Sequence, residues 1–176
     1  MKLHAISGSL RAASSNTRLL HAAQKLAPKG ATRELEHAIS ELPAFNPDVD
    51  ISSNDALEDF VQRVRESDGI VVSSPVYAGG YPGALKNALD WLVGTDAFVE
   101  MPFMMLSASN RMPDVERTLV AVLETMNGVH IADASVAIPL LGTSLTVTNI
   151  VSDDGVATTL RRKLGQFVDA IELRDA

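Results

Sequence analysis

Five short apolar runs, each followed by a segment with helical spacing, alternate from end to end of this 176-residue chain. Leu3-His4-Ala5-Ile6 reads as a first strand, and Asn16 to Ala27 carries helical spacing through Leu19, Leu20, Ala23 and Leu26 before Pro28-Lys29-Gly30 stops it. Thr32 to Ala38 sets Leu35 among charged neighbours and suits a strand near an edge. Ser52 or Ser53 caps a helix to Ser67, with Leu57, Phe60, Val61 and Val64 on its inner face. Gly69 to Ser73 is uninterruptedly apolar up to its serine, as expected of a strand covered on both faces. A helix from Gly83 to about Val93, a strand Pro102–Ser107 and a helix Asp114–Asn127 follow. A fifth strand is expected at Ala134–Ile138, and Asp153 or Asp154 caps a last helix ending near Leu173.

Strands separated by helices imply a parallel sheet with helices on both faces, because parallel neighbours need crossovers. The expectation is a single α/β domain over residues 1–176, a three-layer flavodoxin-like sandwich with a five-stranded parallel sheet of order 2-1-3-4-5. In that order the winding reverses between strands one and three, and a ligand crevice opens beyond their carboxyl ends. The two least ordinary loops of the sequence follow those two strands.

The first, Ser7-Gly8-Ser9-Leu10-Arg11-Ala12-Ala13-Ser14-Ser15-Asn16-Thr17, brings hydroxyls, an amide and a guanidinium to a helix N-terminus. Unpaired N–H groups and the helix dipole favour an anion there, although the same residues also make an ordinary helix cap with a solvated arginine. The second, Ser74 to Pro82, contains Gly79 and Gly80, which let main chain approach a flat ligand closely. Together they suggest a site for a phosphorylated aromatic ligand.

Composition narrows the alternatives. A formal charge of -7 argues against nucleic acid as the main partner. With no cysteine there is no disulfide, thiolate nucleophile or cysteine-bound metal. His4, His21, His37 and His130 are scattered without metal-ligand spacing, so no metal is expected. There is no GxxxxGK[ST], no GxGxxG after a strand and no GxSxG. No signal peptide is read ahead of the first strand and no apolar run reaches about 20 residues, so a cytoplasmic protein is expected.

Gly8-Ser9-Leu10-Arg11-x-x-Ser14-x-Asn16-x-x-Leu19, followed by Pro75-x-Tyr77-x-Gly79-x-x-Pro82-Gly83-x-Leu85-Lys86-Asn87-Ala88-x-Asp90-Trp91, resembles the NAD(P)H-dependent FMN reductase family. That family includes quinone, chromate and azo-dye reductases. Leu42-Pro43-Ala44-Phe45-Asn46-Pro47-Asp48 is similar to its segment after strand two, while beyond Leu106 the likeness is one of architecture. The resemblance implies FMN as cofactor, NAD(P)H as hydride donor, and a quinone, free flavin or similar small molecule as acceptor. It implies that Ser9, Arg11, Ser14 and Asn16, with the Thr17 amide, hold the FMN phosphate. Pro75, Tyr77 and Gly79 would flank the ring and ribityl chain, with Val76, Ala78 and Ser107 completing the contacts. No side-chain acid or base is required, so no catalytic residue is assigned. Lys86, Asn87, Asp90 and Trp91 would hold the loop and helix in place or form a dimer surface, and a homodimer or homotetramer is implied.

The chain departs from the family pattern in three places. Val76 and Ala78 stand where the family often has Glu and Asn, and Gly80-Tyr81 replaces the neighbourhood of a serine. The loop after strand four is Ser107-Ala108-Ser109-Asn110-Arg111-Met112-Pro113 instead of small residues and glycines. Arg111 there can meet an anionic substrate or a nicotinamide phosphate, or be an exposed residue ahead of a helix start at Pro113-Asp114. Two other readings stay open: a flavin-binding electron carrier, and a flavodoxin-like protein with a degenerate site.

Overall fold

The computed structural model describes residues 1–36, 38–140 and 143–175. The strands are β1 (Lys2–Ser7), β2 (Thr32–Glu36), β3 (Gly69–Ser73), β4 (Pro102–Ser107), β5 (Val129–His130) and β6 (Val136–Ala137). The helices are α1 (Ser15–Lys25), α2 (Asp55–Arg65), α3 (Gly83–Val93), α4 (Pro113–Thr125), α5 (Val147–Ser152) and α6 (Asp154–Asp175). Pairing among these strands is parallel and runs β2-β1-β3-β4-β5, with β6 also paired to β4.

Period-two alternation along the three central strands divides the core into two layers. Ile6, Ile70, Val72, Phe103 and Met105 point to one face, where Phe60 and Val64 of α2, Leu89 and Trp91 of α3 and Leu119 and Leu123 of α4 cover them. Leu3, Ala5, Val71, Met104 and Leu106 point to the other, against Leu19 and Leu20 of α1 and Leu160, Leu164 and Phe167 of α6. Each helix carries one apolar stripe and each central strand two, which is what a doubly covered sheet demands.

Several boundaries differ from expectation, each for a local reason. Of the fifth strand expected at Ala134–Ile138 only β6 at Val136–Ala137 forms, and β5 precedes it, so the sheet has six strands among the described residues. A 3-10 turn at Ala132–Ala134 breaks the lane, and the Ser135 hydroxyl accepts the Met105 N–H at 2.9 Å where a continuous ladder would otherwise bond. Asn54, not Ser52 or Ser53, caps α2, its Oδ1 accepting from the Leu57 N–H at 3.1 Å. The serines belong to a 3-10 turn capped by Asp50. Asp153 caps α6 by accepting from the Val156 N–H at 2.9 Å. The short α5 ahead of it, closed by a reciprocal Thr146–Asn149 cap, was not expected. The expected second strand ends at Glu36, and His37 lies outside the described residues.

Candidate functional site

The loops after β1, β3 and β4 come together at the carboxyl end of the sheet, where the chain winds outward in opposite directions from β1 and β3. Between them, and bordered by Thr143 and Ser144 ahead of α5, lies a cavity of about 570 Å³. That volume is in the range of pockets for drug-sized ligands and cofactors.

The first loop is held by its own hydroxyls. Ser7 Oγ lies 2.8 Å from Thr17 Oγ1, Ser9 Oγ accepts the Arg11 N–H at 3.2 Å, and Ser14 caps α1 by accepting the Thr17 N–H at 3.4 Å. A donation from the Gly8 N–H to the Ser73 carbonyl at 2.8 Å ties the loop to the end of β3. A Cβ at Gly8 would fall 2.6 Å from Ser74 Oγ and 3.0 Å from Leu85 Cδ2, so glycine is what lets the two loops lie this close.

Asn16 joins all three loops. It is only 7% exposed, and its Oδ1 accepts from Ser73 Oγ and from the Ala108 N–H, both at 3.0 Å. The Ala108 N–H can only donate, which fixes the orientation of the amide.

The loop after β3 turns on a two-residue hairpin. Tyr77 and Gly80 exchange main-chain bonds of 2.8 and 3.0 Å, with Ala78 at φ 49° and Gly79 at φ 77° between them. Positive φ at both central positions is the type I′ turn. It presents Pro75, Val76 and Tyr77 to the cavity while Tyr77 stays 53% exposed at its mouth.

Of the residues singled out in the sequence, Arg11, Ser14, Asn16, Pro75, Val76, Tyr77 and Ser107 line the cavity. Ser9 and Thr17 stand behind it in the loop's hydrogen bonds, and Ala78 and Gly79 form the outer turn. Arg111 lines it as well. Lys86 and Asp90 pair with each other one turn apart on α3. Asn87 Nδ2 and Trp91 Nε1 both donate to the Pro43 carbonyl at 2.9 Å, and the Phe45 ring meets Trp91 edge-on at 5.0 Å. These two residues therefore pin the 42–48 loop onto α3.

Two charged residues escaped the sequence reading. Arg18 reaches the Leu145 carbonyl at 2.7 Å from the first turn of α1, and Glu116 of α4 lines the cavity. A signal for Arg18 existed: the first turn of α1 has no acidic residue, and a cation beside a helix N-terminus is unfavourable unless an anion joins it. In a chain of net charge -7, the cavity wall carries Arg11, Arg18 and Arg111 against Glu116. Ser15 and Asn16 are wall residues too, and their N–H groups have no acceptor among the described residues.

Residues 1–141 match the family model for NADPH-dependent FMN reductase. The chain is 36% identical over 91 residues to a 2-hydroxy-1,4-benzoquinone reductase from a Burkholderia species, 52% of this chain and 49% of that protein. It is 39% identical over 92 residues to an NAD(P)H-dependent FMN reductase from Pseudomonas aeruginosa, again 52% and 49%. The chain thus spans about half the length of the curated relatives it matches. A flavoenzyme NAD(P)H:(acceptor) oxidoreductase from Paracoccus denitrificans superposes with a TM-score of 0.85 at 26% identity, covering 97% of both chains. Flavodoxin 1 from Bacillus cereus gives a TM-score of 0.61 at 14% identity over 96% of this chain and 98% of its own, a likeness of fold alone. With its parallel sheet and flavodoxin-like architecture, the chain belongs to the NADPH-dependent FMN reductase family.

Proposed function

We propose that this protein is an FMN-dependent oxidoreductase that takes reducing equivalents from NAD(P)H and passes them to a quinone, free flavin or similar small acceptor. The observation that carries this reading is the charge reversal at the N-terminus of α1 in an otherwise acidic chain. Arg11, Arg18 and the unpaired Ser15 and Asn16 N–H groups suit a phosphate dianion there. The donors fit FMN in kind as well as in charge, because a flat ring extending from that phosphate would meet Pro75, Val76 and Tyr77. The bound flavin supplies the hydride chemistry, and the protein supplies position, polarity and access.

Each wall then has a task. Ser14 and Asn16 hold the loop in a shape that keeps the N–H groups directed at the phosphate. The Tyr77–Gly80 hairpin gives the second loop a fixed form, and Gly79 leaves open space around its outer turn. Leu10, Tyr77 and Met112 are exposed apolar side chains on the loops that form the site. They suit a flat acceptor, or a neighbour in a homodimer or homotetramer that covers the site.

The test begins with the absorption spectrum of the purified protein, reconstituted with FMN if colourless. We expect a flavin band that NADH or NADPH bleaches anaerobically and that a quinone restores. A protein that binds no FMN, or whose bound flavin neither nucleotide reduces, overturns the assignment.

A further inference from the structure

Glu116 is the one acidic side chain among the described residues that line the cavity. It lies on α4 three residues beyond Pro113, where a carboxylate is favoured by the helix dipole. Its carboxylate does not cap its own helix: Oε2 accepts the hydroxyl proton of Ser107, the last residue of β4. Ser107 is itself 7% exposed, paired with Ala137 of β6, and accepts from the Ile138 N–H at 2.8 Å through its carbonyl.

A buried hydroxyl at the end of a central strand therefore holds one carboxylate oxygen at the cavity wall. No salt bridge neutralises Glu116 among the described residues, and the adjacent Arg117 pairs with Asp114 instead. On its other side Glu116 borders a second groove of about 510 Å³, where Arg117, Glu124 and His130 are its charged or titratable neighbours. Apart from the Ser107 hydroxyl, no hydrogen-bond or salt-bridge partner meets the carboxylate among the described residues.

We infer that the Ser107–Glu116 pair sets the reducing strength of this site, with Glu116 acting as a fixed negative charge beside the flavin ring and Ser107 as its positioning residue. The inference rests on the FMN reading above. Reduction adds negative charge to the ring system, and a like charge held nearby opposes that gain. Glu116 therefore weakens the binding of reduced FMN relative to oxidised FMN. The midpoint potential falls, and the bound cofactor becomes a stronger donor to weak acceptors.

The experiment measures dissociation constants of oxidised and reduced FMN for the wild type, Glu116→Gln and Ser107→Ala, by fluorescence titration under air and anaerobically. Glutamine keeps the shape and can still accept from Ser107. We expect Glu116→Gln to bind oxidised FMN within about threefold of the wild type. The oxidised-to-reduced affinity ratio should shift about tenfold towards the reduced form, which is about 30 mV for a two-electron couple. Ser107→Ala frees the carboxylate to turn away and should give a smaller shift of the same sign. Equal weakening of both redox forms, or an unchanged ratio in Glu116→Gln with FMN still bound, overturns the inference. If the wild type binds neither form, the functional reading itself falls and this inference falls with it.

Discussion

Ala78 sits at φ 49° and Gly79 at φ 77°, so both central residues of the Tyr77–Gly80 hairpin occupy the left-handed region. Glycine adopts it freely, whereas an alanine Cβ crowds the following carbonyl at a cost of about 1–2 kcal/mol. Asparagine tolerates the region better and is favoured ahead of glycine in this turn. Ala78→Asn should therefore stabilise the apoprotein by about 0.5–1 kcal/mol, raising the thermal midpoint by about 1–4 °C. Gly79→Ala should destabilise it by about 1 kcal/mol or more. Thermal unfolding of both variants checks the pair, and shifts of the same sign would contradict the turn. At this scale the sequence named the residues but not their geometry. Gly79 and Gly80 read alike in the chain, yet only Gly79 has a positive φ.

The elements of the site are coupled through Asn16, which belongs to α1 but bonds the ends of β3 and β4. Asn16→Ala would leave the Ala108 N–H without its acceptor, at a cost of about 1–3 kcal/mol. The expected outcome is a drop in denaturant midpoint of the cofactor-free protein, with a weaker flavin complex as a consequence. If the apoprotein keeps its stability and only flavin binding suffers, Asn16 acts on the ligand and not on the loops. The phosphate-loop pattern marked Asn16 in the sequence without revealing that its oxygen faces inward to two other strands. Asn87 and Trp91 were expected to hold their own loop and helix in place or to form a dimer surface, and they anchor the 42–48 loop through the Pro43 carbonyl instead. Ser107 was expected to meet the cofactor, and its hydroxyl is directed at Glu116 of the next helix.

At the scale of the whole molecule, His130 ties stability to pH near neutrality. His130 stacks on Phe103 with ring centroids 5.0 Å apart, its Nε2 2.9 Å from Ser135 Oγ. Burial lowers its pKa below the ordinary 6.5, although Glu124 and Glu116 pull the other way. The unfolded chain then binds the proton more readily, so the contribution is complete above about 6.5 and is lost as pH falls through 6.5 towards the lower folded value. Between pH 7.5 and 5.5 the wild-type thermal midpoint should fall, and His130→Gln should flatten that slope; an equal slope in both would refute it. The alternation of apolar runs with helical segments was enough by itself to determine a parallel α/β sandwich, because hydrophobic periodicity is a local property that one chain displays residue by residue. The two loop motifs likewise named part of the cavity wall. The edge of the sheet was decided only by the tertiary structure, since two-residue strands have too little periodicity to be read and are held by main-chain bonds to Met101, Phe103 and Ser107 in and beside β4. The same holds for Arg18 and Glu116: 98 residues apart, they share a cavity because the crossovers return both helices to one end of the sheet, and no local pattern encodes that meeting.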